Sequence, residues 1–427
     1  MPTSLRDLYD ELRTTQGTGE RGRAATTSED PFVLKLAQVV LAYAVEINAS
    51  DIHIEPTAVG ARVRYRIDGL LHEMLQVPQE IRDPLIRSIK IKANMATDVV
   101  GRSRPQDGRL DLEAEGKKLD LRLSSFPTLF GDVIAIRILD RSAPLLKLEQ
   151  VGFPPFVQQE FSRLLHRPNG LVLVTGPTGS GKTTTLYAAL NTLRSPYIKI
   201  ITLEDPIEYQ VEGINQGQVH TQIGLTFASG LRAILRQDAN IILVGEIRDK
   251  ETAEISIRAA LTGHLVLSTM HTRHSVGATT RLMDMGIEPH LILASVTGVI
   301  AQRLVRVLCP QCKVLDPLAA KAFTKLWTQE TGSPPTETMV AQLRKGSGCT
   351  SCNATGYHGR IGLFEILVLN DDLKELILKQ AAAQLYREAV ASGKLRTLMR
   401  DGLDKVAQGV TTVDEILRVT GETEARE

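Results

Sequence analysis

The stretch "GPTGSGKTTT", Gly176 to Thr185, lies near the middle of a chain of 427 residues and decides how its surroundings fold. It fits G-x-x-x-x-G-K-[ST], the pattern of a phosphate-binding loop. Its context fits as well, since the apolar run "GLVLVTG" (170–176) precedes it and the helix-forming "TTTLYAALNTL" (183–193) follows. Gly176, Gly179 and Gly181 let the backbone curl so that its N–H groups face phosphate oxygens. Pro177, Thr178, Ser180 and Thr184 complete the stretch expected to bind nucleotide. Lys182 is expected to reach the β- and γ-phosphates and Thr183 to ligate Mg²⁺, with the helix N-terminus adding positive partial charge.

Working outward, three further apolar runs, "IKIITLED" (198–205), "IILVGEIRD" (241–249) and "GHLVLSTMHT" (263–272), alternate with longer helix-like stretches. Runs of this kind suit strands buried on both faces of a parallel sheet, and ligands gather at the carboxyl edge of such sheets. Glu204 ends one run, with Asp205 and Glu208 following, and Glu246 ends the next. Carboxylates near a γ-phosphate can orient attacking water or complete the Mg²⁺ shell through water. Glu208 also reads as an ordinary surface acid. His264 opens the third run and His271 closes it. A histidine at a strand end is commonly a local hydrogen-bonding group, but a position beside two acidic strands makes both candidates for sensing γ-phosphate. No Asn-Lys-x-Asp guanine-reading motif occurs, which favours ATP over GTP.

Length calls for two or three domains, and with aromatics at only 4% the core must be mostly Leu, Ile, Val and Ala. Fifty Lys and Arg against 49 Asp and Glu leave a formal charge of +1, so no nucleic-acid partner is expected. No apolar run approaches the ~20 residues of a membrane helix, and the polar N-terminus does not read as a secretory signal. A cytoplasmic protein, attached to a membrane only through partners, is expected.

Residues 1–30 read as a terminal segment and flexible linker, Gly-, Thr- and charge-rich from 14 onward. Asp30 and Pro31 then make a helix start, followed by Val33, Leu36, Ala37, Val40, Leu41 and Ala44 at helical spacing. From Asp51 the period becomes two. In "ARVRYRIDG" (61–69) Arg62, Arg64 and Arg66 alternate with Val63, Tyr65 and Ile67. "KLDLRLSSF" (118–126) sets Arg122 beside Asp120, and "VIAIRIL" (133–139) sets Arg137 opposite its isoleucines. Residues 31–142 therefore read as a small α+β domain with an arginine-marked sheet face, as readily a solvated surface as a functional one. The linker 143–155, with "LEQVGFPPF", leads into the phosphate-loop domain, 156–305.

"CPQC" and "CTSC" place Cys309, Cys312, Cys349 and Cys352 in two knuckles within a subdomain spanning 306–365. Four thiolates close a tetrahedral structural Zn²⁺ site with no open position, whereas a redox role would not need the second pair. The 36 residues between the pairs exceed a usual ribbon spacing, so a helical excursion is expected there. Residues 366–427 read as a helical C-terminal subdomain.

Together these stretches resemble the ATPases of the type II secretion and type IV pilus superfamily, from "ASDIHIEP" (49–56) to "DEILRVT" (414–420). "RPQDGR" (104–109), the phosphate loop, "ITLEDPIEY" (201–209), "ILRQDANIILVGEIRD" (234–249) and "TGHLVLSTMHT" (262–272) match its signature boxes in order. The resemblance implies a hexameric, Mg²⁺-dependent cytoplasmic ATPase whose mobile, PAS-like N-terminal domain joins a RecA-like motor. It implies catalytic roles for Lys182, Glu204, Glu246, His264 and His271, and for Arg122 and Arg137 as N-terminal-domain arginines that approach the nucleotide. The partners implied are an inner-membrane platform protein and an adaptor of the secretion apparatus, with assembly of a pseudopilus as the work done. The tetracysteine is similar to the assembly and secretion branches, and "TRLMDMGIEPHLI" (280–292) and "LMRDGLDKVAQGVTTVDEILRVT" (398–420) to the type II branch. Three departures stand out: a short N-terminus, from which the extra docking domain is expected to be missing; Asp132 in place of a glutamate; and Arg273 in place of an asparagine. A type IV pilus assembly ATPase, a RecA-like nucleic-acid translocase and a nucleotide switch with little turnover are the alternatives.

Overall fold

The computed structural model describes residues 4–16, 27–98, 104–114, 116–140, 145–369, 375–377 and 382–424. Most of the expected first linker, 17–26, and residues 143–144 of the second lie outside them. The chain divides into two compact units, Met1–Pro144 and Leu145–Glu427.

In the first unit, α1 (Leu5–Gln16) and α2 (Pro31–Glu46) precede β1 (Asp51–Thr57), β2 (Gly60–Ile67) and β3 (Leu70–Pro78). Helix α3 (Gln79–Lys92) and β4 (Gln106–Ala114), β5 (Lys117–Thr128) and β6 (Gly131–Asp140) follow. Asp30 caps α2 by accepting the Phe32 N–H at 2.9 Å, and Pro31 occupies the first turn, where its missing donor costs nothing. The stripe Val33, Leu36, Ala37, Val40, Leu41 and Ala44 is buried. The segment before the linker is itself a helix, and its Leu5 and Tyr9 are buried in the same core. The sheet order is β3-β2-β1-β6-β5-β4, antiparallel throughout. One face, with Ile52, Val63, Tyr65, Leu121, Leu123 and Ile136, packs in a single core with the helices.

The other face carries the arginines, and register aligns them. Arg66 pairs with Asp51, Asp51 with Arg137, Arg137 with Arg122 and Arg122 with Arg109, one row across five strands. Two carboxylates stand among the four guanidinium groups. Asp51 lies 3.3 Å from both Arg66 and Arg137, and buried Asp120 lies 3.0 Å from Arg109 and 3.8 Å from Arg122. Asp132, the departure noted above, holds the buried Lys90 ammonium at 2.6 Å.

The second unit is built on an eight-stranded sheet of order β16-β15-β12-β7-β11-β10-β8-β9. Its strands are β7 (Gly170–Thr175), β8 (Ile200–Glu204), β9 (Asn215–Gln218), β10 (Ile241–Val244), β11 (Leu265–Met270), β12 (Val296–Leu308), β15 (Tyr357–Val368) and β16 (Leu395–Arg396); β13 (Lys313–Leu315) and β14 (Arg344–Gly346) form a separate hairpin. From β12 to β9 the pairs are parallel, while β15 and β16 join antiparallel. Every residue of β7, β10 and β11 is buried, as runs without alternation require. Helices α4 (Pro155–Leu165), α5 (Lys182–Leu193), α6 (Phe227–Ile234), α7 (Lys250–Leu261), α8 (Val276–Asp284) and α9 (Pro289–Ser295) complete the motor fold.

A boundary after residue 305 would cut through β12, which runs unbroken from the motor sheet to Cys309. Between the cysteine pairs the chain forms the β13–β14 hairpin and helices Ala320–Thr331 and Glu337–Ala341. The late helices Leu398–Ala407 and Val413–Glu424 share a core with Phe323 and Trp327 from this excursion. Among the described residues no helix is long and apolar enough to cross a membrane.

One buried carboxylate fastens the last helix to β12. Glu415 accepts from Arg306 at 2.6 Å and from Arg418 at 2.9 Å on each oxygen. Burial alone would raise its pKa, but the hydrogen bonds from Arg418 and Arg306 outweigh burial and hold it at about 2. A carboxyl so depressed stabilises the fold fully above its unfolded pKa of about 4.3 and loses that contribution as pH falls toward 2. Glu415→Gln is therefore expected to be less stable than wild type at pH 7, by denaturant melts read on Trp327 fluorescence, with the gap closing as pH approaches about 2. A gap independent of pH would contradict this.

Candidate nucleotide and metal sites

The loop between β7 and α5 is built by glycine geometry. Gly176 and Gly181 have φ of 150° and 86°. A Cβ on Gly176 would lie 2.4 Å from the Gln302 carbonyl oxygen and 2.6 Å from Ser180 Oγ; one on Gly181 would lie 2.8 Å from Gln302 Nε2. The curl of the loop is thus seated directly on β12. Lys182 folds back onto it, donating from Nζ to the carbonyls of Gly176 at 2.8 Å and Pro177 at 2.9 Å. Burial lowers its pKa to about 8; Glu246 opposes that shift and Arg303 adds to it. Pro177, Thr178 and Gly179 are exposed at the tip, while Ser180 is buried and its hydroxyl has no hydrogen-bond partner among the described residues. Thr183 and Thr184, half-buried, occupy the first turn of α5.

Parallel strands deliver the acids to the same edge. Glu246 follows β10 and His271 follows β11, and their side chains meet at 3.5 Å (Oε2 to Nε2). Arg248 pairs with the other Glu246 oxygen at 2.5 Å. Ser268 and Thr269 donate to the carbonyls of Val244 and Gly245, at 2.7 and 2.8 Å, and so lock β11 to β10 just below this cluster. Glu204 ends β8 and is buried. One oxygen accepts from Thr202 Oγ1 at 2.6 Å and Gln216 Nε2 at 3.3 Å, the other from the Tyr187 hydroxyl. Burial raises its pKa, and the hydrogen bonds from Thr202, Tyr187 and Gln216 only partly offset this.

The expectation for His264 needs correction. It sits before the first residue of β11, where its carbonyl accepts from Gly170 at the start of β7 and its Nδ1 lies 3.0 Å from the Ala259 carbonyl oxygen. A six-residue strand separates it from His271 by about 20 Å, across the sheet from the phosphate loop. Of the two histidines only His271 joins the site. Arg122 and Arg137 belong to the first unit, in the cross-strand row already described.

The sequence reading missed the floor of the site. Gln302 accepts from Thr185 Oγ1 at 2.7 Å, and Arg303 donates to the Gln302 carbonyl at 3.0 Å and to the Arg273 carbonyl. Buried Glu365 on β15 accepts the Ser275 N–H at 2.7 Å and is drawn electrostatically to Arg303. These groups tie β12 and β15 to the segment after His271. The available signal was Gln-Arg inside the otherwise apolar "VTGVIAQRLV", a polar pair that a buried strand tolerates only when hydrogen-bonded.

The four cysteines fit zinc. Their Sγ atoms lie within 4.8 Å of one another, with separations of 3.8 Å for Cys309–Cys349 and Cys312–Cys352 and 3.6 Å for Cys349–Cys352. A ZnS₄ tetrahedron with bonds of about 2.3 Å has S···S edges of about 3.8 Å. N–H groups of Cys349 and Gly356 point at Cys352 Sγ, at 3.2 and 3.3 Å, in support of thiolate charge.

A buried parallel sheet with a phosphate loop, two acids and a histidine along one edge defines a P-loop nucleotide hydrolase. The family described as "Type II/IV secretion system protein" matches residues 26–418, and the chain belongs to it. It is 46% identical over 396 residues to the type II secretion system protein E of Pseudomonas aeruginosa, covering 92% of this chain and 76% of that one. It is 45% identical over 398 residues to the type II secretion system ATPase E of Vibrio cholerae, covering 93% and 77%. The type IV pilus assembly ATPase PilB of Myxococcus xanthus is 44% identical over 414 residues, covering 96% and 72%. Among solved structures, the pilus retraction motor PilT with bound ADP superimposes with a TM-score of 0.59 at 25% identity, covering 89% of this chain and 95% of that one. The ATPase DotB of Legionella pneumophila shares the fold, with a TM-score of 0.65 at 21% identity over 95% and 98%.

Two outcomes follow from this geometry. Gly176→Ala is expected to lose nucleotide binding, because its methyl group meets β12 backbone that cannot yield; fluorescent-nucleotide titration at wild-type affinity would contradict it. Purified protein is expected to carry one zinc per chain by metal analysis. Cys309→Ser should lose it with a lower melting temperature, and a zinc-free wild type would sink the assignment.

Proposed function

We propose that this chain is the ATP-hydrolysing motor of a type II secretion apparatus, working as a Mg²⁺-dependent hexamer on the cytoplasmic side of an inner-membrane platform to drive pseudopilus assembly. The observation that carries the reading is the placing of the phosphate loop, Glu246, His271 and Glu204 along one sheet edge, in a chain 46% and 45% identical to two type II secretion proteins over nine-tenths of its length.

In this reading Lys182 leaves the loop carbonyls for the β- and γ-phosphates, and the N–H groups of the loop take the remaining charge. Thr183, whose hydroxyl makes no hydrogen bond among the described residues, would hold Mg²⁺, which supplies charge neutralisation on the phosphates. Glu204 accepts the proton of the attacking water. The water oxygen bonds to the γ-phosphorus while the bond to the bridging oxygen breaks, and ADP leaves with that electron pair. Glu246 and His271, already in contact, report whether the γ-phosphate is present. Arg122 and Arg137 add positive charge when nucleotide draws the two units together, which couples turnover to a change of shape.

The similarity to a type IV pilus assembly ATPase over 96% of this chain supports a second reading, with pilins as the assembled subunits. Deleting the gene separates the two: the first predicts exoproteins retained inside the cell, the second lost piliation.

Lys182→Ala and Glu246→Gln are expected to lower phosphate release at least about a hundredfold, Lys182→Ala also weakening ATP binding. Arg122→Ala with Arg137→Ala should lower turnover while ADP affinity of the motor unit holds. Wild-type turnover and secretion in either of the first two variants would end the motor assignment.

A further inference from the structure

Helix α5 carries more than the phosphate loop's lysine and threonine. Five residues after Lys182, about 7.5 Å along the helix, Tyr187 is buried with its hydroxyl on the Glu204 carboxylate. In sequence it is one more apolar residue of "TLYAALNTL", and its ring packs as such, edge-on to Tyr209 at 5.8 Å. A phenylalanine would fill that space equally well. A buried phenol hydroxyl is costly unless bonded, so its presence calls for a partner, and the partner is the carboxylate at the end of β8.

The bonding pattern at Glu204 is specific. An ionised carboxylate has about four acceptor positions. Oε1 takes Thr202 and Gln216, and Oε2 takes Tyr187, leaving one position on Oε2. Gln216 is itself fixed, donating to the Tyr209 carbonyl at 2.9 Å and accepting the Val211 N–H at 2.8 Å. The three tethers come from α5, β8 and β9, so the carboxylate cannot rotate without breaking bonds to separate elements.

We infer that Tyr187 is a positioning residue for hydrolysis: its hydroxyl clamps Glu204 so that a single Oε2 position is left for the attacking water. This rests on the reading of Glu204 as the group that takes the water's proton. Because α5 begins at the phosphate loop, the nucleotide's anchor and the carboxylate's clamp ride on one 12-residue helix, and the spacing between Lys182 and Tyr187 is fixed by five residues of its backbone. Other buried carboxylates are held differently. Glu365 bonds to the segment after His271, and Glu415 to arginines, and neither shares an element with the loop.

The test is steady-state turnover of the full chain with Mg²⁺ and ATP, together with ADP affinity, for Tyr187→Phe, Glu204→Gln and the double variant. Tyr187→Phe is expected to lower kcat about tenfold with KM and ADP affinity unchanged. In the Glu204→Gln background it is expected to add nothing, because it acts through that carboxylate. A packing role would instead lower affinity in step with kcat, or multiply onto Glu204→Gln, and either result overturns the inference. If Tyr187→Phe fails to fold, Thr202→Val removes a tether from the same carboxylate without changing shape, and wild-type turnover there overturns it as well. Failure of the underlying reading looks different: Glu204→Gln itself would then turn over at the wild-type rate. A slow Glu204→Gln beside a fast Tyr187→Phe removes Tyr187's part alone.

Discussion

A backbone curled tightly enough to aim several N–H groups at one point has no room for side chains on its inner wall, and it needs something firm beneath it. In this chain that floor is β12. The Gln302 carbonyl and amide come so close to Gly176 and Gly181 that a single methyl group would collide with them. The same glutamine holds Thr185 in the first turns of α5. Loop, helix and strand therefore form one close-packed body in which a displacement of any part is felt by the others.

That constraint reaches far because β12 and β15 are long. Beside the loop they carry Gln302, Arg303 and Glu365; at their far end they enter the four-cysteine cluster. Arg303 and Glu365 grip the segment just after His271, so the strands under the phosphate loop are also those that hold the residue expected to read the γ-phosphate. The cysteine knuckles then sit as a terminal clip on the pair of strands that forms the floor of the phosphate loop.

Charge is handled differently at the two acids. Glu246 is half-buried, paired with Arg248 and His271. Glu204 is enclosed, its pKa raised by burial, and is held by neutral donors alone. Two carboxylates in contrasting surroundings can divide the work of sensing and proton transfer. The first unit handles charge differently again, with Asp51 and Asp120 each set between two arginines of one cross-strand row.

Local chemistry was legible without coordinates. The glycine spacing of the phosphate loop, the Asp30-Pro31 helix start, the unbroken apolar runs and the two cysteine knuckles are decided by residues adjacent in the chain, because backbone sterics and strand or helix period act over a few residues. Even His264 was open to correction in advance, since histidines at both ends of one strand cannot serve the same sheet edge. What the sequence could not give were partners brought together by register and crossover. Thr185 meets Gln302 across 117 positions, Ser275 meets Glu365 across 90, and the arginine row draws on strands scattered from Asp51 to Arg137. Alternation says which face a side chain takes, but only the strand order chosen by the whole core says which side chains stand next to it.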